Sequence, residues 1–174
     1  MIKFGVGQPV RRFEDTRLLT GKGRYQDDTN MPGQLYAVFV RSPHAHARIR
    51  SIGTAAAKAA PGVKAVYTGA DYAADGLAMP KAAMPRKKAD GSPMFAPQRP
   101  ALVIDRARYV GDPVAMLIAD TLAQAKDAAE LIEVDYEPLP SVTSTADAAL
   151  PDAPRVWDEN PDNISHTYER GDKA

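Results

Sequence analysis

The sequence predicts a mixed domain of the α/β or α+β class. Two observations carry that reading. A strand-like run, a short helical pattern and a second strand-like run follow one another twice, and a long proline-rich stretch separates the two sets.

The elements are argued in chain order. Residues 1–34 are polar and punctuated by Gly5, Gly7, Gly21, Gly23 and Gly33, so they read as an extended arm without regular structure. Leu18, Leu19 and Tyr25 are its only obvious anchors. Residues 35–41 are β-branched and aromatic with both alternating faces apolar, which suits a strand covered on both sides. Pro32-Gly33 supplies the turn before it. Residues 47–52 read as its continuation after a kink near Pro43. Thr54 is placed to cap a short helix over Ala55–Ala60, and Pro61-Gly62 stops it. Residues 63–67 form the next strand, ended by Thr68-Gly69. Residues 72–100 lack periodicity and carry Pro80, Pro85, Pro93, Pro97 and Pro100. A loop of that length inside a domain is usually functional or interfacial.

Residues 101–104 read as a short strand, and Tyr109-Val110 as the start of another that Gly111-Asp112-Pro113 interrupts. Residues 114–119 are continuously apolar and read as the most buried strand. A helix is expected over 121–131. Thr121 and Gln124 make a Thr-x-x-Gln capping box, and Leu122, Ala125, Ala129 and Ile132 make an apolar stripe. The period then changes to two. Ile132, Val134 and Tyr136 alternate with Glu133, Asp135 and Glu137, a half-buried strand ended by Pro138 and Pro140. From Ser141 onward the chain is polar and irregular. Its last residues, Glu169-Arg170-Gly171-Asp172-Lys173-Ala174, read as a chain passing on to further sequence.

Composition narrows the function classes. The 174 residues suit one domain with appendages. Lys and Arg total 22 and so do Asp and Glu, which argues against a domain built to grip nucleic-acid phosphates. The absence of cysteine removes disulfides, iron–sulfur ligation, thiolate zinc sites and cysteine nucleophiles. No apolar run reaches the roughly 20 residues of a membrane span, and residues 1–5 lack the apolar core of a signal peptide. A cytoplasmic location follows as the expectation.

Several groups invite chemistry. His44 and His46 share a strand face if that segment is extended, but two ligands are too few for a metal site. Glu133, Asp135 and Glu137 share a face that strand alternation explains as solvated. Gly21-Lys22-Gly23 lacks the spacing of a phosphate-binding loop. Arg86-Lys87-Lys88 reads as a solvated basic loop, and Asn163-Ile164-Ser165 as a sequon of no consequence without secretion. Gly111-Asp112-Pro113 fixes a tight loop whose N–H groups are offered to a ligand or spent in the turn. Gly111 and Asp112 are thus the weak candidates for cofactor contact. No catalytic set and no metal cage assembles from these residues.

Four segments in this order resemble one family. They are Arg12-Phe13-Glu14-Asp15 with Leu18-Leu19-Thr20-Gly21-Lys22-Gly23-Arg24-Tyr25-Gln26-Asp27-Asp28, then Arg41-Ser42-Pro43-His44-Ala45-His46-Ala47-Arg48-Ile49. Next come Arg108-Tyr109-Val110-Gly111-Asp112-Pro113-Val114-Ala115 and Ile132-Glu133-Val134-Asp135-Tyr136-Glu137-Pro138-Leu139-Pro140. Together they resemble the opening of molybdenum hydroxylase large subunits, the xanthine dehydrogenase/aldehyde oxidase group. The likeness is greatest to the carbon monoxide dehydrogenase type.

The resemblance implies an α+β fold, the a/b hammerhead domain, built from two β-α-β-like units. It implies an arm over 1–34, the hammerhead over 35–140, and a linker with the truncated start of the molybdopterin-binding region over 141–174. For the parent protein it implies a molybdenum–molybdopterin cytosine dinucleotide cofactor, and the remaining molybdopterin-binding domains, an iron–sulfur subunit and an FAD subunit as partners. The implied reaction hydroxylates carbon monoxide, an aldehyde or an N-heterocycle with oxygen from water. The family's cofactor loops and catalytic glutamate lie downstream of the hammerhead, so no catalytic residue is carried over to any position here, and the chain alone is expected to be inactive. A stand-alone binding or assembly module with the same fold is the alternative.

Overall fold

The structure, a computed structural model, describes residues 7, 11–80, 84–88, 90–168, 170 and 171. Gly5, Lys81, Glu169, Asp172, Lys173 and Ala174 lie outside the described residues. The chain divides into two compact units, Met1–Gln34 and Leu35–Ala174.

The first unit has more regular structure than its glycines suggest. A short helix, α1, spans Asp15–Leu19, and a 3-10 turn spans Gln26–Asp28. Local side-chain bonds explain both. Arg17 pairs with Glu14 at 2.6 Å, and Asp28 Oδ2 accepts the Tyr25 N–H at 2.9 Å. Neither element buries a residue.

The second unit runs β1 (Tyr36–Arg41), β2 (Ala47–Gly53), α2 (Ala55–Ala59), β3 (Val63–Thr68), α3 (Gly69–Ala74), β4 (Arg106–Ala107), β5 (Pro113–Ala119), α4 (Leu122–Ala129) and β6 (Glu133–Pro138). These strands form two antiparallel sheets, ordered β1-β5-β3 and β4-β2-β6. The order β-α-β occurs twice, as β2-α2-β3 and β5-α4-β6, and each helix carries the chain from one sheet to the other. The pairing is reciprocal: the first strand of each set lies beside the second strand of the other.

The core sits where both helices meet the first sheet. β5 is central in that sheet, so its apolar run is sheltered from both sides, and Val114, Ala115, Leu117 and Ala119 are buried. Leu117 is fully buried beside Val38 of β1 and Val66 of β3, with Ala125 and Ala128 of α4 in the same cluster. Ile52 and Val134 join that cluster from the second sheet.

Several expectations are corrected. β2 does not continue β1. The chain breaks at residues 42–46 and crosses to the other sheet, where β2 pairs with β6. β1 is an edge strand covered on one face only, which leaves Phe39 42% exposed. Thr54 sits at the N-cap of α2 with helical backbone angles and makes no side-chain cap bond. Residues 101–104 are not a strand, although Leu102 and Val103 are buried. The strand begins later, at β4. Tyr109 and Val110 are in the turn that precedes β5. On α4 the inward face is Ala125 and Ala128, while Leu122 is exposed. Its cap is as expected: Thr121 Oγ1 accepts the Gln124 N–H at 3.2 Å.

Thr68-Gly69 does not end the ordered segment but opens α3. Asp71 Oδ2 accepts both the Thr68 N–H and the Thr68 hydroxyl, each at 2.7 Å, which caps the new helix. These bonds hold the Asp71 carboxyl below its ordinary value, the hydroxyl bond acting most. A depressed folded-state pKa stabilises the fold above the ordinary carboxylate value of 3.8 and is lost as pH falls below it. Asp71→Ala is expected to cost about 1 kcal/mol at pH 7, measured by urea unfolding, and the cost should vanish as the pH is lowered through that range.

Candidate functional site

The loop before β5 is the most constrained segment outside the core. Gly111 has φ +92°, a conformation open to glycine and costly for other residues. Its N–H donates to the Ser42 carbonyl at 2.8 Å, and the Ser42 N–H donates to the Asp112 carbonyl at 2.9 Å. Arg41 Nη1 donates to the Gly111 carbonyl at 2.9 Å. The Asp112 N–H donates to the Tyr109 carbonyl at 3.2 Å. Asp112 is 8% exposed, and its Oδ2 accepts the Arg108 N–H at 3.0 Å. The N–H groups of Gly111 and Asp112 are therefore spent in tying this loop to the segment after β1. The arrangement anchors the crossing between the sheets and offers neither N–H to a ligand.

Beside that loop lies a half-open cleft of about 300 Å³, walled in part by Met79, Arg99, Ile104, Arg108, Tyr109 and Trp157. Arg108 is its most restrained side chain. Its guanidinium lies 3.6 Å from the centre of the Trp157 ring, and Nη1 donates to the Arg106 carbonyl at 3.1 Å. Burial lowers the Arg108 pKa, and the Asp105 carboxylate opposes that. Arg106 pairs with Asp158 at 3.0 Å; that bond raises the Arg106 pKa and lowers that of Asp158. Burial first, and the Asp112 carboxylate second, push the Tyr109 hydroxyl up. A guanidinium stacked on an indole is a positioning device, because arginine stays charged and donates no proton. No nucleophile–base pair stands among these lining residues.

The tail beyond Ser141 closes this region. Phe95 meets Trp157 edge-on at 6.1 Å. The Phe95 N–H donates to the Ser165 carbonyl at 2.9 Å, and Ser165 Oγ donates to the Phe95 carbonyl at 2.7 Å. Asn163, with φ 57°, organises the turn. Its Nδ2 donates to the Ala148 and Pro154 carbonyls, both at 3.0 Å, and its Oδ1 accepts the Val156 N–H at 2.9 Å. The sequon asparagine is thus a structural strut whose amide is fully engaged. Asn163→Ala should cost about 1–2 kcal/mol by freeing three part-buried partners. Hydrogen exchange at the Val156 amide is expected to rise at least tenfold, with exchange in β5 unchanged.

The other singled-out residues take structural places. His44 and His46 lie outside strands. The His44 ring lies tilted against Tyr136, with centroids 4.9 Å apart. His46 is buried with Nδ1 2.8 Å from the Pro140 carbonyl, so that nitrogen carries the hydrogen. Glu133 and Asp135 are exposed, and Glu137 lies beside Arg50 at 3.4 Å and Arg48 at 4.0 Å. Among the described residues no three His, Cys, Asp or Glu side chains group to hold a metal ion, and no helix is long and apolar enough to cross a membrane. The stacking of Arg108 on Trp157 was not legible in the sequence, because 49 residues separate the two (157 − 108).

Residues 20–140 match the family model described as the aldehyde oxidase and xanthine dehydrogenase a/b hammerhead domain. The chain belongs to that family. Over 167 residues it is 43% identical to the carbon monoxide dehydrogenase large chain of Afipia carboxidovorans, covering 94% of this chain and 19% of that one. It is 41% identical to the nicotine 6-hydroxylase large subunit of Paenarthrobacter nicotinovorans, over 91% of this chain and 19% of the relative. Among solved structures, quinoline 2-oxidoreductase from Pseudomonas putida 86 superposes with a TM-score of 0.75 at 43% identity, covering 88% of this chain and 19% of that one. This hammerhead chain therefore spans about a fifth of the length of the relatives it matches. Its two sheets bridged by two crossing helices are the family's α+β architecture.

Proposed function

We propose that this chain is the hammerhead domain of a molybdenum hydroxylase large subunit, contributing scaffold and subunit contacts. The observation that carries the reading is 43% identity over 94% of the chain to a carbon monoxide dehydrogenase large chain, at a fifth of that relative's length. In this reading residues 35–140 are the hammerhead, residues 1–34 are an arm, and residues 141–174 lead toward the cofactor-binding region. The complete protein hydroxylates carbon monoxide, an aldehyde or an N-heterocycle with oxygen from water. It uses molybdenum on a molybdopterin cytosine dinucleotide, with iron–sulfur and FAD subunits, in the cytoplasm.

The described residues do not fit that cofactor. The clefts of about 300, 450 and 370 Å³ lie in the lower part of the range for small-molecule pockets, each small for a pterin joined to a dinucleotide. The tight loop at Gly111 and Asp112 spends its N–H groups internally. No step of the reaction is assigned to these residues, and the cofactor is held by other parts of the subunit.

The test is metal content. The 174-residue chain and the complete large subunit, produced in a host that makes the cofactor, are analysed by mass spectrometry for molybdenum. The expected result is about one molybdenum per complete subunit and none in the 174-residue chain. Stoichiometric molybdenum in the short chain, or none in the complete subunit, would overturn the reading.

A further inference from the structure

One face of the first sheet packs on the helices. On the other, Val114 at one end is buried and the Arg41 guanidinium lies 5.6 Å from the centre of the Phe39 ring, while the two rows beyond Val114 are part-exposed. Strand register places Phe39, Met116 and Tyr67 in one row across β1, β5 and β3, and Ala37, Ile118 and Ala65 in the next. None of the six carries a charge. Phe39 is 42% and Tyr67 is 40% exposed, while the residues that alternate with them, Val38, Leu117 and Val66, belong to the core. A sheet face open to water ordinarily alternates apolar inward with polar outward, and these strands carry apolar residues on both faces over two rows.

Size decides what covers this face. Three strands about 4.8 Å apart and two rows about 7 Å apart make a patch on the order of 200 Å². A stable pair of separate proteins buries about 800 Å² on each partner, so the patch is too small to hold a second copy by itself. A segment of the same polypeptide needs far less area, because tethering supplies a high effective concentration. The relatives are about five times as long as this chain, so four fifths of their length is available as that segment.

We propose that the open face of the β1-β5-β3 sheet, centred on Phe39, Met116 and Tyr67, is the docking surface for the remainder of the same large subunit. The occupant is an apolar element of that remainder laid across the three strands, with Arg41 at the rim beside Phe39. This rests on the hydroxylase reading above and adds the surface by which the domain is held.

Covalent footprinting with mass-spectrometric readout tests it. Phe39, Met116 and Tyr67 are labelled in the 174-residue chain and in the complete large subunit. Labelling is expected to be at least fivefold slower in the complete subunit. In parallel, the double variant Phe39→Glu with Tyr67→Glu should leave the melting temperature of the 174-residue chain within about 2 °C and lower that of the complete subunit clearly. Equal labelling in both proteins overturns the proposal. So does protection in the 174-residue chain that grows with its own concentration, which would make a second copy the occupant. A complete subunit that carries molybdenum but leaves the face open refutes this inference alone. A reading frame that stops after Ala174 refutes it together with the hydroxylase reading.

Discussion

Leu117→Ala is expected to destabilise the domain by about 3–4 kcal/mol. Leu117 is fully buried at the centre of the middle strand. Two terms add: the lost transfer of its side chain from water, and the cavity left behind. The second term is large here because of the neighbours. Ala115, Ala119, Ala125 and Ala128 surround the site in one cluster, and alanine has no side chain long enough to swing into a void. Val38 and Val66 flank it with stiff, β-branched side chains. Ile52, Ile132 and Val134 of the same cluster relax only in part, so the cost falls near the middle of the range for such truncations. Urea unfolding of the 174-residue chain should show a lower midpoint with an unchanged slope. A loss under 1 kcal/mol would mean that β5 is not the centre of the core.

Gly69→Ala sets two effects against each other, and their magnitudes decide the outcome. Gly69 is the first residue of α3. Helix propensity alone favours alanine there by up to about 1 kcal/mol. A Cβ at this position, however, would collide with the Val103 carbonyl and stand 2.8 Å from Ile104 Cα. These are backbone atoms that cannot rotate away, and the Val103 N–H is tied to the Pro113 carbonyl at 2.8 Å. Relief requires moving α3 off the 102–104 segment, at a cost of about 3 kcal/mol, the upper end for such overpacking because backbone must shift. The variant should therefore melt far below the parent, with Val103 exchange protection lost. An unchanged melting temperature would show that the close approach is absent.

The parts of the fold that follow from local chemistry could be read from the sequence. The apolar run of β5, the Thr121 cap of α4 and the alternation of β6 each depend on neighbours a few residues away. What depended on distant partners was not legible. β2 pairs with β6 80 to 91 residues on (133 − 53 and 138 − 47), and nothing within residues 42–46 says that the chain changes sheets there. The capping pattern of Thr68 and Asp71 was present, but Gly69 read as a terminator because its contact with Val103 is invisible in one dimension. Phe39 suggested a buried strand because apolar residues on both faces look alike whether the cover belongs to this unit or not. The same limit applied to the candidate site. Gly111 and Asp112 stood out, and only the structure shows their N–H groups bonded to the Ser42 and Tyr109 carbonyls. Family membership, by contrast, was legible in four short segments, because their combined order is specific even though each is ordinary alone.

The most direct measurement is the DNA sequence downstream of codon 174. A frame that runs on for several hundred codons, through glycine-rich loops to a late catalytic glutamate, is the predicted result and would place this domain at the head of a molybdenum hydroxylase large subunit. A stop codon after Ala174 would contradict it and make the chain a free-standing hammerhead module.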